Sequence, residues 1–141
     1  MKKINFKSKF NKFDDRWSPK VIAEMNDYQF KLVKIEDDFI WHHHDDTDEV
    51  FIVLEGQIFI EFENETIEIN EGEMIVVPKG VKHKPYAKKE AKIMLVEPSP
   101  ISSASDFHSG SHANIFNLSF ANNDDENINC TKINTNIYFN I

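Results

Sequence analysis

The sequence predicts an all-β fold, an antiparallel sandwich or closed barrel, and three observations carry that prediction. Between residues 20 and 97 apolar side chains recur with a period of two, the spacing of a strand with one buried face. Turn residues interrupt that pattern at regular intervals, as expected for seven or eight short strands. The chain is also short: 141 residues and 16.5 kDa leave no room for an α/β barrel or a two-domain dinucleotide enzyme.

Taken in order, the first element is an exception. Phe6, Phe10 and Phe13 follow the i, i+4, i+7 spacing of a helix face, so residues 4–13 are expected to form a short amphipathic helix within an N-terminal arm, 1–19. Val21, Ala23 and Met25 then alternate with more polar neighbours, and Asn26-Asp27 offers a turn. Phe30, Leu32 and Ile35 form a second strand-like run that Glu36-Asp37-Asp38 is expected to break, with Phe39-Ile40-Trp41 as a restart. Val50–Leu54 is apolar on both faces and ends at Glu55-Gly56, a hairpin signal. Strands at 57–62 and 66–69 flank a turn at Asn64-Glu65, Asn70-Glu71-Gly72 turns again before 74–77, and 91–96 closes the series. A strand with two apolar faces needs cover on both. The outer face of Val50, Ile52 and Leu54 is therefore expected to be buried in a homodimer.

Charge divides the chain. Residues 1–98 hold fifteen basic and twenty acidic side chains, whereas 99–141 hold one and four, and together they give the net charge of −8. The second stretch is rich in Asn and Ser, and Pro98-Ser-Pro100 marks the change, since prolines deny both helix and central strand. The expected organisation is an arm at 1–19, one domain at 20–97 and an Asn/Ser-rich tail at 98–141. The tail keeps weak apolar alternation at Ile115, Phe116, Leu118 and Phe120, at 128–133, and at Ile137, Tyr138, Phe139 and Ile141. It reads either as an added strand or as a poorly ordered polar segment. A net acidic chain with a single arginine, Arg16, disfavours nucleic acid. No apolar run approaches the length of a membrane helix, and no apolar segment follows the charged N-terminus as it would in a leader. The lone Cys130 forms no internal disulfide and no thiolate metal cluster. These features point to a soluble, cytoplasmic domain.

The densest chemistry is Trp41-His42-His43-His44-Asp45-Asp46-Thr47-Asp48-Glu49, set directly before the apolar strand. On an extended segment His42 and His44 project to one face and His43 to the other. Two imidazoles one residue apart are a ready pair of metal ligands. Glu49 shares parity with Phe51 and Val53, and faces the same interior if 45–48 turns back into the sheet. A further nitrogen is available at His83, after the Pro78-Lys79-Gly80 turn. The competing reading of the histidine run is a solvated loop, and that reading is preferred for Asp45, Asp46 and Asp48. His43 reads as a surface or supporting residue, and Trp41 as a packed side chain or cavity wall.

Two motifs then coincide. His42-x-His44-x4-Glu49-x6-Gly56 and Gly72-x5-Pro78-x-Gly80-x2-His83 resemble the first and second motifs of the cupin superfamily, over residues 20–97. The finer resemblance is to small single-domain cupins grouped with the cupin module of mannose-6-phosphate isomerases. The resemblance implies a double-stranded β-helix (a jelly roll), usually dimeric, and a divalent metal held by His42, His44, Glu49 and His83. One departure occurs: the second motif often closes with Asn after three further residues, where this chain has Ala87.

Such a ligand set suits Zn, Fe, Mn, Ni or Cu. Expected interior residues are Phe51 and Val53, with Phe30, Met94 and Tyr86 as further candidates, giving a mostly apolar cavity with the metal as its polar anchor. The expected function is that of a metal-dependent enzyme on a small organic substrate, isomerase/epimerase-like or dioxygenase-like, with no catalytic residue assigned beyond the metal ligands. The alternative is a non-catalytic module that binds a sugar or other small ligand. A purely structural zinc site is the third reading. A sugar phosphate would want Arg or several converging donors, and only Lys79 or Lys82 stand near the motifs to supply them.

Overall fold

The computed structural model describes residues 3–99. The tail patterns beyond Pro100, and Cys130, lie outside the described residues. A short helix α1 (Phe6–Phe10) precedes seven strands: β1 (Lys20–Met25), β2 (Tyr28–Asp38), β3 (Glu49–Glu55), β4 (Gln57–Glu61), β5 (Thr66–Asn70), β6 (Met74–Val77) and β7 (Lys84–Pro98). Every strand pair is antiparallel.

The long strands β2 and β7 organise the rest. They pair from Tyr28–Pro98 to Ile35–Ala91, shift register, and pair again at Asp37–Ala87 and Asp38–Tyr86. On its other edge β7 changes partner along its length. Its second half pairs with β3, from Val50–Val96 to Val53–Ile93, and its first half with β4, from Phe59–Tyr86 to Glu61–Lys84. One strand thus belongs to two sheets, β1-β2-β7-β3-β6 and the smaller β7-β4-β5. This is a jelly roll, and the register shift is the bend that lets the sheets fold over one core.

The parity of each strand decides which face enters that core. Val33 and Ile35 of β2, Phe51 and Val53 of β3, Ile58 and Ile60 of β4, and Ala91, Ile93 and Leu95 of β7 form one buried cluster. The opposite parity supplies a second cluster on the outer face, where Leu32 and Met94 meet Phe10 and Phe13, with Phe30, Ile52, Leu54 and Val96 packed around them. Phe30 and Met94 are therefore outer-face residues and not cavity lining, because they alternate with the inward residues of their own strands. Tyr86 stacks on Phe59 with ring centroids 5.0 Å apart, a position away from the core cluster that contains their strand neighbours Ile58, Ile60 and Ala87.

Three element boundaries differ from the sequence expectation. The helix covers Phe6–Phe10 rather than 4–13; Asn5 caps it by accepting from the Ser8 N–H at 2.9 Å, and Asn11 closes it. Phe13 lies past the helix, its ring buried under the Nζ atoms of Lys20 and Lys34 at 5.8 and 5.5 Å. Asp14 and Asp15 add ion pairs to these lysines. Burying a phenylalanine is worth roughly 1.5–3 kcal/mol and an exposed ion pair at most about 1 kcal/mol, so the rings hold the arm. Strand β2 runs through Glu36-Asp37-Asp38, with Asp37 at φ 64° taking up the irregularity. Residues 39–41 form no strand, and β7 begins at Lys84 because the polar run Lys88-Lys89-Glu90 sits at the bend between its two pairing partners. Among the described residues no helix is long and apolar enough to cross a membrane.

The turn between β3 and β4 needs its glycine. Gly56 has φ +88°, and a Cβ there would stand 3.3 Å from Cα and Cβ of Ala91, at the bend of β7. A Gly56→Ala variant is expected to lose about 1–3 kcal/mol of unfolding free energy, measured by urea titration. An unchanged midpoint would show that the bend yields freely.

Candidate metal centre

The site forms where two chain segments are stitched by backbone. His42 and His83 exchange N–H···O bonds of 3.0 and 2.9 Å, an isolated bridge that continues neither strand. The Gly80 N–H donates to the His44 carbonyl at 2.7 Å, and Asp48 Oδ1 accepts from the Lys79 N–H at 2.9 Å. Asp48 thus ties the acidic loop to the Pro78-Lys79-Gly80 turn. Asp45, Asp46 and Asp48 are all exposed. Glu49 opens β3 opposite Val77. The turn chemistry that ends β6 therefore sets His83 beside the histidine segment.

The rings of His42 and His83 lie 4.3 Å apart between centroids, His42 and His44 5.4 Å, and His44 and His83 6.2 Å. Glu49 Oε2 sits 3.2 Å from His44 Nε2 and 3.4 Å from His83 Nε2. Phe39 packs against His42, and Phe51 and Phe62 against His83; the sequence places Phe39 and Phe62 in strands and not at the site. His43 turns away, half exposed, with Nε2 3.0 Å from Asp45. Trp41 is likewise exposed, beneath the Nζ atoms of Lys82 and Lys84.

The four expected residues come together in two overlapping groups that share Glu49. His42, Glu49 and His83 form one set with ligand atoms within 4.8 Å of each other, and His44, Glu49 and Glu97 form the other. Glu97 is a functional candidate that the sequence reading missed. Its signal was present: it shares parity on β7 with the inward residues Ile93 and Leu95.

Protonation follows from the hydrogen bonds. His42 Nδ1 lies 3.0 Å from the Ile40 carbonyl and His83 Nδ1 2.9 Å from the Val81 carbonyl. A carbonyl only accepts, so both Nδ1 atoms carry a proton, and in the neutral rings the lone pair is on Nε2. This is the tautomer a metal-ligating histidine adopts when backbone holds its other nitrogen. Burial lowers the His42 pKa, with the Ile40 contact opposing it, and so keeps this ring neutral. Burial pushes the Glu49 carboxyl up, but the His44 and His83 imidazoles more than offset this and hold it at about 2. Hydrogen bonding to Glu49 raises the His44 pKa against partial burial.

His83 supplies the test of fit for a cation. Its Nε2 is fully buried and has no hydrogen-bond partner among the described residues. In its neutral form, with the ring proton on Nδ1 toward Val81, His83 presents a lone pair to the Glu49 carboxylate, acceptor against acceptor. Leaving a buried polar group unpaired costs about 1–3 kcal/mol, and a cation between the two relieves it. The donor set of imidazole and carboxylate fits a divalent transition metal and does not select one.

Comparison with known proteins gives the family. Residues 30–97 match the cupin domain family. A cupin-2 domain containing protein of Shewanella frigidimarina, known from its crystal structure, is 63% identical over 67% of this chain and 93% of its own, with a TM-score of 0.67. The uncharacterized protein YdbB of Bacillus subtilis is 34% identical over 90 residues, 56% of this chain and 80% of its own length. A putative dioxygenase of Saccharolobus solfataricus is 27% identical over 103 residues, which make up 71% of this chain but 27% of that protein. Most of that dioxygenase has no counterpart here.

Metal uptake by this site is expected to release protons at pH 6.5. His44 has its pKa raised above 6.5 by Glu49, so the metal-free ring is more than half protonated there and must lose that proton to bind. Calorimetric titration in two buffers of different ionisation enthalpy measures the release. The release should shrink as pH rises past the His44 pKa; a release independent of pH would contradict the assignment.

Proposed function

This chain belongs to the cupin family, and from that premise we propose that it is a metal-dependent protein acting on a small organic substrate. The proposed ligands are His42, His44, Glu49 and His83, holding one divalent ion such as Zn, Fe, Mn or Ni. The observation that carries the reading is the buried, unpartnered Nε2 of His83 opposite Glu49. A bound ion would supply Lewis acidity, polarising a carbonyl or hydroxyl of the substrate. The chain's own part is to keep two Nε2 lone pairs available through the Ile40 and Val81 carbonyls and to hold a carboxylate ionised inside the barrel. Phe51 and Phe62 pack against the buried His83 ring and keep water from it.

Of the reaction classes, similarity to a putative dioxygenase supports an oxygenase-like reaction. A phosphosugar isomerase reading has less support. The single arginine, Arg16, is paired with Glu36 and Glu90, and Lys79 and Lys82 are exposed. The second reading, binding without turnover, is favoured by the depth of the site, where His83 and Glu49 are 1% and 6% exposed.

Elemental analysis of tag-free protein prepared without chelator tests the centre. About one equivalent of transition metal per chain is expected, lost in His44→Ala and His83→Ala and retained in His43→Ala. Equal loss in all three variants, or no metal in the parent protein after reconstitution, would overturn the reading.

We propose also that the outer sheet face pairs with a second copy of the chain. Met74 and Val76 are 56% and 48% exposed on the edge strand β6, beside the partly buried Val50, Ile52 and Leu54. The arm already covers the far side of this face, so a partner would complete it. Sedimentation at micromolar concentration should give twice 16.5 kDa; a monomer mass would refute the dimer.

A further inference from the structure

Beside the imidazoles, the inner face of the large sheet carries a row of polar side chains where alternation alone would place apolar ones. Glu24 on β1 pairs with Gln29 on β2, and Gln29 pairs with Glu97 on β7. Glu49 on β3 follows, one residue beyond the Val50–Val96 pair. Gln29, Glu97 and Glu49 are buried, at 1%, 8% and 6% exposure. Lys31, two residues along β2 from Gln29, is wholly buried, and its Nζ donates to Glu97 Oε1 at 2.7 Å. No other hydrogen-bond partner of that ammonium is found among the described residues.

The polarity of this row is one-sided. Gln29 Nε2 donates to Glu24 Oε1 at 2.8 Å, and because a carboxylate only accepts, the amide orientation is fixed with Oε1 at the other end. That Oε1 is buried and has no partner among the described residues. Glu97 has one oxygen held by Lys31, and its carboxylate lies within 4.8 Å of the ligand atoms of both His44 and Glu49. Whatever those two residues hold is therefore within reach of Glu97. Lys31, with no exposed surface, reaches a ligand only through Glu97 and is a positioning residue.

We infer that Glu97, fixed by Lys31, selects the ligand of this centre by accepting a hydrogen bond from one of its hydroxyls, so that the class recognised is a neutral diol or polyol rather than a carboxylate or phosphate. This rests on the metal-centre reading and adds the substrate class to it. Gln29 Oε1 is the second acceptor on the same wall. A hydroxyl satisfies either acceptor, whereas an anionic oxygen brought to this side meets Glu97, Glu49 and an amide oxygen with one lysine already paired. A buried acceptor left facing another acceptor is penalised far more than a solvated one, which is what makes the wall selective. The site thus contrasts with the arginine forks that hold phosphosugars.

The test uses protein reconstituted with cobalt(II), whose visible bands report ligand exchange, titrated with cis-1,2-cyclohexanediol, a neutral and colourless diol, and with cyclohexanecarboxylate, a colourless carboxylate of similar size. The diol should bind at least about tenfold more tightly. Glu97→Gln should bring the two affinities within about threefold while retaining cobalt. Glu97→Asp, which withdraws the carboxylate from the ligand, should also narrow the preference, with thermal melting as the check on folding. A carboxylate preference in the parent protein, an unchanged preference in Glu97→Gln, or loss of cobalt from Glu97→Gln would each overturn the inference. Failure of the parent protein to take up cobalt would instead overturn the metal centre, and the inference with it.

Discussion

Everything at the centre of this molecule depends on one buried carboxylate. Glu49 opens the most apolar strand of the sheet, is buried and stays ionised, with its pKa at about 2. A lone carboxylate in such a place would take up a proton. Its neighbours prevent this: the His44 and His83 imidazoles lie 3.2 and 3.4 Å away and hold the carboxyl pKa down. The arrangement is complete electrostatically only with positive charge between them. In the metal-free chain the raised pKa of His44 supplies part of that charge. Sharing of Glu49 by two groups, one reaching His42 and His83 and the other His44 and Glu97, is the geometric form of the same dependence.

The fold serves this constraint through β7. By pairing with β3 along one half and β4 along the other, it closes the sheets around a core whose far end is apolar and whose near end is polar. Residues 39–48 add no strand and instead cross the opening, held by the His42–His83 bridge and by the Gly80–His44 and Lys79–Asp48 contacts. That is why the Pro78-Lys79-Gly80 turn matters as much as the ligands. It sets the entry of His83, and the backbone carbonyl of Val81 within it fixes the tautomer.

Much of this was legible in the sequence. Period-two alternation and turn residues found the strands, and parity put His42 and His44 on one side with His43 on the other, while Glu49 joined them only through the expected turn at 45–48. What escaped reading has physical causes. The first half of β7 is masked by lysines that lie at a bend and pair outward. Phe30 and Met94 looked like interior residues because both faces of β2 and β7 are apolar, one toward the barrel and one toward Phe10 and Phe13. Lys31 and Glu97 were passed over because a charged residue in a strand is ordinarily solvated. Only their mutual contact across β2 and β7 allows both to be buried, and such a pairing of distant residues leaves no local signature.

The central claim is that a divalent cation occupies the space between the His83 lone pair and Glu49. Anomalous diffraction at the metal's absorption edge, on crystals of the reconstituted protein, tests it most directly. The account predicts one strong peak enclosed by Nε2 of His42, His44 and His83 and by the Glu49 carboxylate. A peak on the exposed His43–Asp45 pair, or no peak between His83 and Glu49, would contradict it.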